Sequence, residues 1–222
     1  MASVSCAQGN EEAEFMFAKK AFSDGFYALA QENLEDFLDK YPGNHHLYEV
    51  HFLLGRCFYY QNNLKMSSYE FDMALNAPAG AFQDAALYWM GDIYYRSGDF
   101  KKALEFYQKV IDEYPASKYL IYALYSKAWA YYRLGFEEDS RLAFGDVISR
   151  YPLENLAIES HFKIGECEYL LGQYNEAQDS LKRFIERYPI SEKIAQAHYI
   201  IGDIKIRQAQ YEDGINFLNR SL

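Results

Sequence analysis

Three cysteines and five prolines among 222 residues leave little material for a disulfide framework or a proline-rich linker. Positive charge is also short. Lys plus Arg number 22 against 32 Asp plus Glu, a net charge of -10, which removes the cationic surface on which binding to a phosphate backbone rests. No run of 18 apolar residues is present to cross a bilayer as a helix. The motifs G-x-S-x-G, G-x-x-x-x-G-K-S/T and H-E-x-x-H are missing. The carboxylate clusters Glu11-Glu12, Glu137-Glu138-Asp139 and Glu212-Asp213 fall where helices open, a place in which negative charge complements the helix dipole. Neither an enzyme nor a bound cofactor is expected.

What the chain does have is a ruler. Tyr114-Pro115, Tyr151-Pro152 and Tyr188-Pro189 are each 37 residues apart, and Tyr41-Pro42 lies 73 residues before Pro115, with Pro78 dividing that interval. A second series keeps the same step: Ala18, Gly55, Gly91, Ala128, Gly165 and Gly202. A small residue belongs where two helices approach closely, because a larger side chain would push the backbones apart. Seven residues after each stands Gly25, Asn62, Gly98, Gly135, Gly172 or Ala209, of which Gly and Asn tolerate the left-handed conformation that ends a helix. Each repeat therefore reads helix, turn, helix, connection. A fixed period of this size predicts an all-α, right-handed solenoid of six helix-turn-helix repeats over about 11–42, 46–78, 82–115, 119–152, 156–189 and 193–222. Residues 11–222 form one domain in this plan, and 1–10 a disordered leader or signal-peptide remnant.

These residues resemble the tetratricopeptide repeat family. Leu87, Gly91, Tyr94, Ala103, Tyr107 and Pro115 stand at the family's slots in the third repeat; Ala128, Tyr131, Phe144 and Pro152 do so in the fourth, and Gly165, Ala177, Leu181 and Pro189 in the fifth. Ser67 and Ser140 replace the small Ala of the second helix, and Gly214 stands there in the last repeat. The step of 36 to 37 exceeds the family's usual length, with the extra residues after the Tyr-Pro pair. That longer variety is similar to repeats of bacterial envelope proteins, notably the lipoprotein of the outer-membrane β-barrel assembly machine and the periplasmic division coordinator linked to the Tol-Pal system. The resemblance implies a non-enzymatic scaffold that holds a protein or extended peptide in a concave groove.

Three positions of the first helix would face such a groove. Three residues before the small position stand Phe15, Phe52, Tyr88, Tyr125, Phe162 and Tyr199; four after it stand Phe22, Tyr59, Tyr95, Tyr132, Tyr169 and Ile206. Aromatic rows give large contact area at little entropic cost, but the same rings could instead pack neighbouring first helices together. One residue after the small position the series reads Lys19, Arg56, Asp92, Trp129, Glu166 and Asp203. The candidate groove residues are thus Phe52, Arg56, Tyr59, Tyr88, Asp92, Tyr95, Tyr125, Trp129, Tyr132, Phe162, Glu166, Tyr169 and Tyr199.

Cys57 and Cys167 occupy the same slot three repeats apart, too far for a disulfide, and read as small buried apolar residues. His51, His161 and His198 likewise share one slot, and only the last two fall in adjacent repeats. His45-His46 reads as a solvated turn, so no metal is expected. The stretch Ser5-Cys6-Ala7-Gln8 is similar to the end of a secretory cleavage site, which points to a periplasmic or otherwise exported protein with its signal peptide removed; Cys6 as a lipidated residue and a cytoplasmic location are the alternatives. Tyr211, Ile215, Phe217, Leu218 and Leu222 leave the last helix apolar, which suits either a domain of a longer protein or homo-oligomers that stack through that repeat.

Overall fold

The computed structural model describes residues 2–78 and 82–221, with side chains from Asn10 onward. Among the described residues there are twelve helices and no strand: α1 (Ala2–Ser23), α2 (Tyr27–Lys40), α3 (Leu47–Tyr60), α4 (Leu64–Leu75), α5 (Gln83–Arg96), α6 (Phe100–Glu113), α7 (Leu120–Leu134), α8 (Glu137–Arg150), α9 (Asn155–Leu170), α10 (Tyr174–Arg187), α11 (Ile194–Arg207) and α12 (Tyr211–Asn219). The fold class is an all-α helical repeat solenoid. Helix α1 runs back to Ala2, through the stretch assigned above to a leader. The Cys6 side chain and Leu222 lie outside the described residues.

Six turns end the first helices, and all six carry positive φ: Gly25 at 83°, Asn62 at 63°, Gly98 at 84°, Gly135 at 72°, Gly172 at 74° and Ala209 at 59°. The left-handed residue swings the next N–H back over the helix end. Phe26 bonds the Ala21 carbonyl at 2.9 Å, Asn63 that of Phe58 at 2.8 Å, Phe136 that of Tyr131 at 3.0 Å, and Gln173 that of Glu168 at 2.9 Å. These bonds satisfy carbonyls that the helix leaves open. The second helices stop differently. Tyr41, Tyr114, Tyr151 and Tyr188 adopt extended φ between -128° and -135° while each N–H still closes the last turn. The following proline has no N–H to offer and disfavours helical geometry in the residue before it, so the helix cannot continue.

The small position does what its size requires. A Cβ on Gly55 would lie 2.8 Å from the Phe71 ring, one on Gly165 2.7 Å from Leu181, and one on Gly202 2.8 Å from Leu218. In each case the obstructing side chain belongs to the second helix of the same pair, 16 residues on. Ser67 and Ser140, which replace the small Ala of that second helix, are tied across the same contact. Their hydroxyls donate to the carbonyls of Gly55 at 2.7 Å and Ala128 at 3.0 Å.

Helices α1 to α5 lie in a compact body over 1–98, and α6 to α12 in a second body over 99–222. The N-terminal body buries Phe15, Ala18, Leu34, Phe37, Val50, Leu54 and Cys57 in one cluster. In the C-terminal body, Phe162, Leu181, Phe184, Ile201 and Ile204 form one cluster, and Ala128, Phe144 and Cys167 another. Burying one such large side chain stabilises the fold by about 1.5–3 kcal/mol.

Candidate partner-binding surface

The two readings of the aromatic row before the small position separate residue by residue. Phe15, Phe52 and Phe162 are core, at 1%, 7% and 2% exposure. Phe52 and Phe162 therefore support the surface from behind rather than meeting a partner. Tyr88 and Tyr125 are half-buried, and Tyr199 stands 58% exposed. In the row four after the small position, Tyr59, Tyr95, Tyr132 and Tyr169 are half-buried.

Two of those tyrosines bond an acid of the next repeat. The Tyr59 hydroxyl donates to Asp92 Oδ2, and that of Tyr169 to Asp203 Oδ2 at 2.6 Å. Tyr132 lies near Glu166, but that carboxylate is bonded by Lys163 Nζ at 2.6 Å. Each rung joins the position four after the small residue to the position one after it in the following repeat. A basic residue one turn further along the acid's helix flanks each rung. Arg207 pairs with Asp203 through Nε, while Arg96 lies 4.6 Å above the Tyr59 ring. Burial, then hydrogen bonding to a carboxylate, raises the Tyr59 hydroxyl; for Tyr132 burial and the neighbouring Glu166 push it up to about 12. At Asp92 burial wins over the bond from Tyr59 and the charge of Arg96, so its carboxyl lies above the usual range. At Asp203 burial acts upward too, but the bonds from Arg207 and Tyr169 outweigh it and the carboxyl lies below that range. All three acids are held by the protein itself.

The second repeat departs from this pattern. Its preceding aromatic is Phe22, which has no hydroxyl, and the position that holds an acid in the third, fifth and sixth repeats holds Arg56. The guanidinium lies 4.6 Å above Phe22, 5.3 Å from the Trp89 ring centre, 5.7 Å from Tyr60 and 5.9 Å from Phe52. Its Nη2 donates to the Tyr60 hydroxyl at 3.1 Å, and Nε has no hydrogen-bond acceptor. Among the described residues no carboxylate lies within ion-pair reach of Arg56. The C-terminal body has a comparable cation, Lys163, 4.3 Å from the Trp129 ring centre and 4.8 Å from Tyr132, but Glu166 meets its Nζ at 2.6 Å.

Trp89, Lys163 and Tyr60 are absent from the sequence-derived set. Trp89 and Lys163 both stand two residues before the small position, a row occupied otherwise by Met16, Leu53, Ser126 and Ile200, and so without a common chemistry to mark it. Tyr60 stacks on Tyr27 at 4.4 Å.

Cys57 and Cys167 are buried free thiols. Burial pushes them up to about 12 and about 11, so they remain protonated and unreactive at neutral pH. His51 pairs with Glu70 at 2.7 Å inside the α3/α4 contact. His161 faces Arg187 at 3.4 Å and His198 packs on Phe217. The last two do not share a ligand position. A cleft of about 690 Å³ among α8, α9 and α10 is lined by His161, Glu168, Arg183 and Arg187, away from the rungs.

Residues 85–117, 122–153 and 159–189 match the tetratricopeptide repeat family. No curated protein matches the chain. Among solved structures it is similar to a tetratricopeptide repeat protein from Parabacteroides merdae, at 19% identity and a TM-score of 0.69 over 95% of this chain and 91% of that one. The C-terminal part of a TPR repeat-containing protein from Cytophaga hutchinsonii aligns at 16% identity and 0.74, over 93% and 80%. MamA from Desulfovibrio magneticus, from its residue 41 to the end, aligns at 12% and 0.66, over 78% and 92%. Identities this low establish the fold. Proteins built from such repeats are typically non-enzymatic scaffolds that bind other proteins or peptides.

Proposed function

We propose that this chain is a protein-binding scaffold that lays an extended partner segment along the tyrosine-rich face of its first helices, and that the N-terminal body receives an acidic side chain of that segment at Arg56. The observation that carries this reading is the unbalanced charge. Asp92 and Asp203 are already bonded to tyrosines of the preceding repeat, and Glu166 is bonded to Lys163. Arg56 keeps most of its five donors unused in a setting of ring faces, which hold a cation in place without neutralising it. A carboxylate would accept two parallel N–H bonds from that planar fork. The flanking Tyr60, 42% exposed, offers apolar contact beside it.

Affinity capture from an extract of the source cells tests this. Wild-type protein should retain a discrete partner that Arg56→Met and Tyr60→Ala fail to retain at unchanged helix content. Equal recovery by Arg56→Met would overturn the assignment of the charge.

The cell envelope is the location we favour, supported by the Tyr-Pro-marked step and by Ser5-Cys6-Ala7. A fusion of the natural gene's 5′ end to a reporter active only outside the cytoplasm should give signal; a silent fusion would rule the location out. Self-association through α12 is a second reading, supported by Tyr211 at 62% and Ile215 at 54% exposure. Sedimentation over a concentration series separates a stacking solenoid, which grows, from a monomeric adaptor.

A further inference from the structure

We propose that Glu12 of α1 and His45 and His46 of the α2–α3 connection form a binding site for a borderline transition-metal dication, with Zn²⁺ as the best fit. In the sequence alone His45-His46 reads as a solvated turn without a metal. It is a turn, but the pairing of α1 with the start of α3 carries Glu12 to it across 34 residues. His46 Nε2 lies 2.9 Å from Glu12 Oε2, and His45 Nε2 lies 3.9 Å from the same oxygen. Glu12, His45 and His46 each offer a ligand atom within 4.8 Å of the others'. A tetrahedral ion with ligands at about 2.0–2.1 Å sets its donors roughly 3.3 Å apart, between the two measured separations.

The surroundings are those a metal-binding imidazole uses. Each ring turns its second nitrogen toward a different carboxylate: His45 Nδ1 is 3.7 Å from Glu11 Oε1, and His46 Nδ1 is 3.8 Å from Glu49 Oε2. These separations exceed a hydrogen bond, so the carboxylates act here by charge, favouring the tautomer protonated on Nδ1 and leaving Nε2 to ligate. The His46 ring is further held by stacking on the buried Phe15, with centroids 3.9 Å apart and planes 17° from parallel. Glu11, Glu12 and Glu49 bring three negative charges, and Lys19, 2.5 Å from Glu49, removes one. With neutral imidazoles the cluster thus carries two negative charges, the complement of a dication. Two nitrogens and one oxygen suit Zn²⁺ over Mg²⁺ or Ca²⁺, which prefer oxygen alone. Glu12 and His45 are exposed, so an ion can enter and water can complete its shell. A bound ion would staple α1 to the start of α3.

The test is titration of the full, tag-free and chelator-treated chain with Zn²⁺ by calorimetry, with thermal unfolding beside it. The expected result is one ion per chain and a raised Tm, with no response to Mg²⁺. His45→Ala and Glu12→Gln, both at exposed side chains, should each weaken binding roughly tenfold or more and abolish the Tm shift while circular dichroism stays unchanged. His46→Ala is a poorer probe because it also removes the stack on Phe15. No saturable binding, or binding that His45→Ala and Glu12→Gln leave intact, would overturn the site and leave the cluster as a set of ion pairs.

Discussion

Arg56 in the N-terminal body and Lys163 in the C-terminal body both lie over aromatic faces, yet only Lys163 has a carboxylate at hand. The difference begins one repeat upstream. Where the aromatic residue of the preceding repeat is Tyr59 or Tyr169, its hydroxyl finds an acid in the next repeat, whereas Tyr95 is followed by Trp129 and Tyr132 by a Glu166 that Lys163 holds. Where it is Phe22, a donor is missing, an acid would be poorly served, and an arginine sits on the ring instead. Two regions with the same helix pairing thus have different electrostatic outcomes: a closed, self-satisfied network in one and an open cation in the other.

The largest expected effect separates the two cations. Glu166→Ala should leave Lys163, 8% exposed, buried without its counter-charge and cost about 3 kcal/mol by chemical denaturation, near the lower end for a broken buried pair. Arg56→Met should cost less than about 1 kcal/mol, since no ion pair is lost and the ring contacts persist. Equal costs would break the comparison. Next in size is Gly165→Ala, whose Cβ would press on the fully buried Leu181; a loss of about 1–3 kcal/mol is expected. Its counterpart Ala128 already carries a Cβ in the same slot, so Ala128→Gly should do less harm than Gly165→Ala.

Ala209 offers a gain. It holds φ of 59° where four other turns have glycine, a conformation that strains any residue with a Cβ. Ala209→Gly should stabilise the C-terminal body by about 0.5–1 kcal/mol, read as a raised denaturation midpoint.

The smallest effect is in pH. Burial and the charges of Arg187 and Arg183 hold His161 below the usual histidine range, and burial and Arg220 do the same for His198. The unfolded chain therefore binds protons that the folded C-terminal body resists, and stability that is complete above about pH 6.5 declines as pH falls through that value. Replacing both residues by Gln should flatten the decline in urea midpoint between neutral pH and the folded-state titration. An unchanged slope would assign the acid sensitivity elsewhere.

Much of the fold was legible because single residues carry backbone requirements. Gly25, Asn62 and Gly135 announce left-handed turns, and Tyr-Pro pairs announce helix ends, whatever packs around them. The Gly and Ala series was readable for the same reason, since Gly55 and Gly165 leave no room for a larger group. The surface was harder. An aromatic residue suits a core and a groove equally, so nothing in the row distinguished buried Phe52 and Phe162 from exposed Tyr199. The rungs are hard to read in the sequence because donor and acceptor lie in different repeats, 33 or 34 residues apart. A signal was present in register: an acid follows each of Tyr59, Tyr132 and Tyr169, Trp129 follows Tyr95, and Arg56 follows Phe22. Glu12 and His46 are a similar case, ordinary apart and distinctive only when the helices bring them together.

Selection of a random peptide library on wild-type protein and on Arg56→Met, with both shown to be equally folded, tests the central claim most directly. The wild type should enrich peptides with aspartate or glutamate at a fixed position, and Arg56→Met should lose that enrichment while keeping the preference for neighbouring apolar residues. Enrichment of acidic peptides that survives the substitution, or the absence of any acidic preference in the wild type, would contradict it.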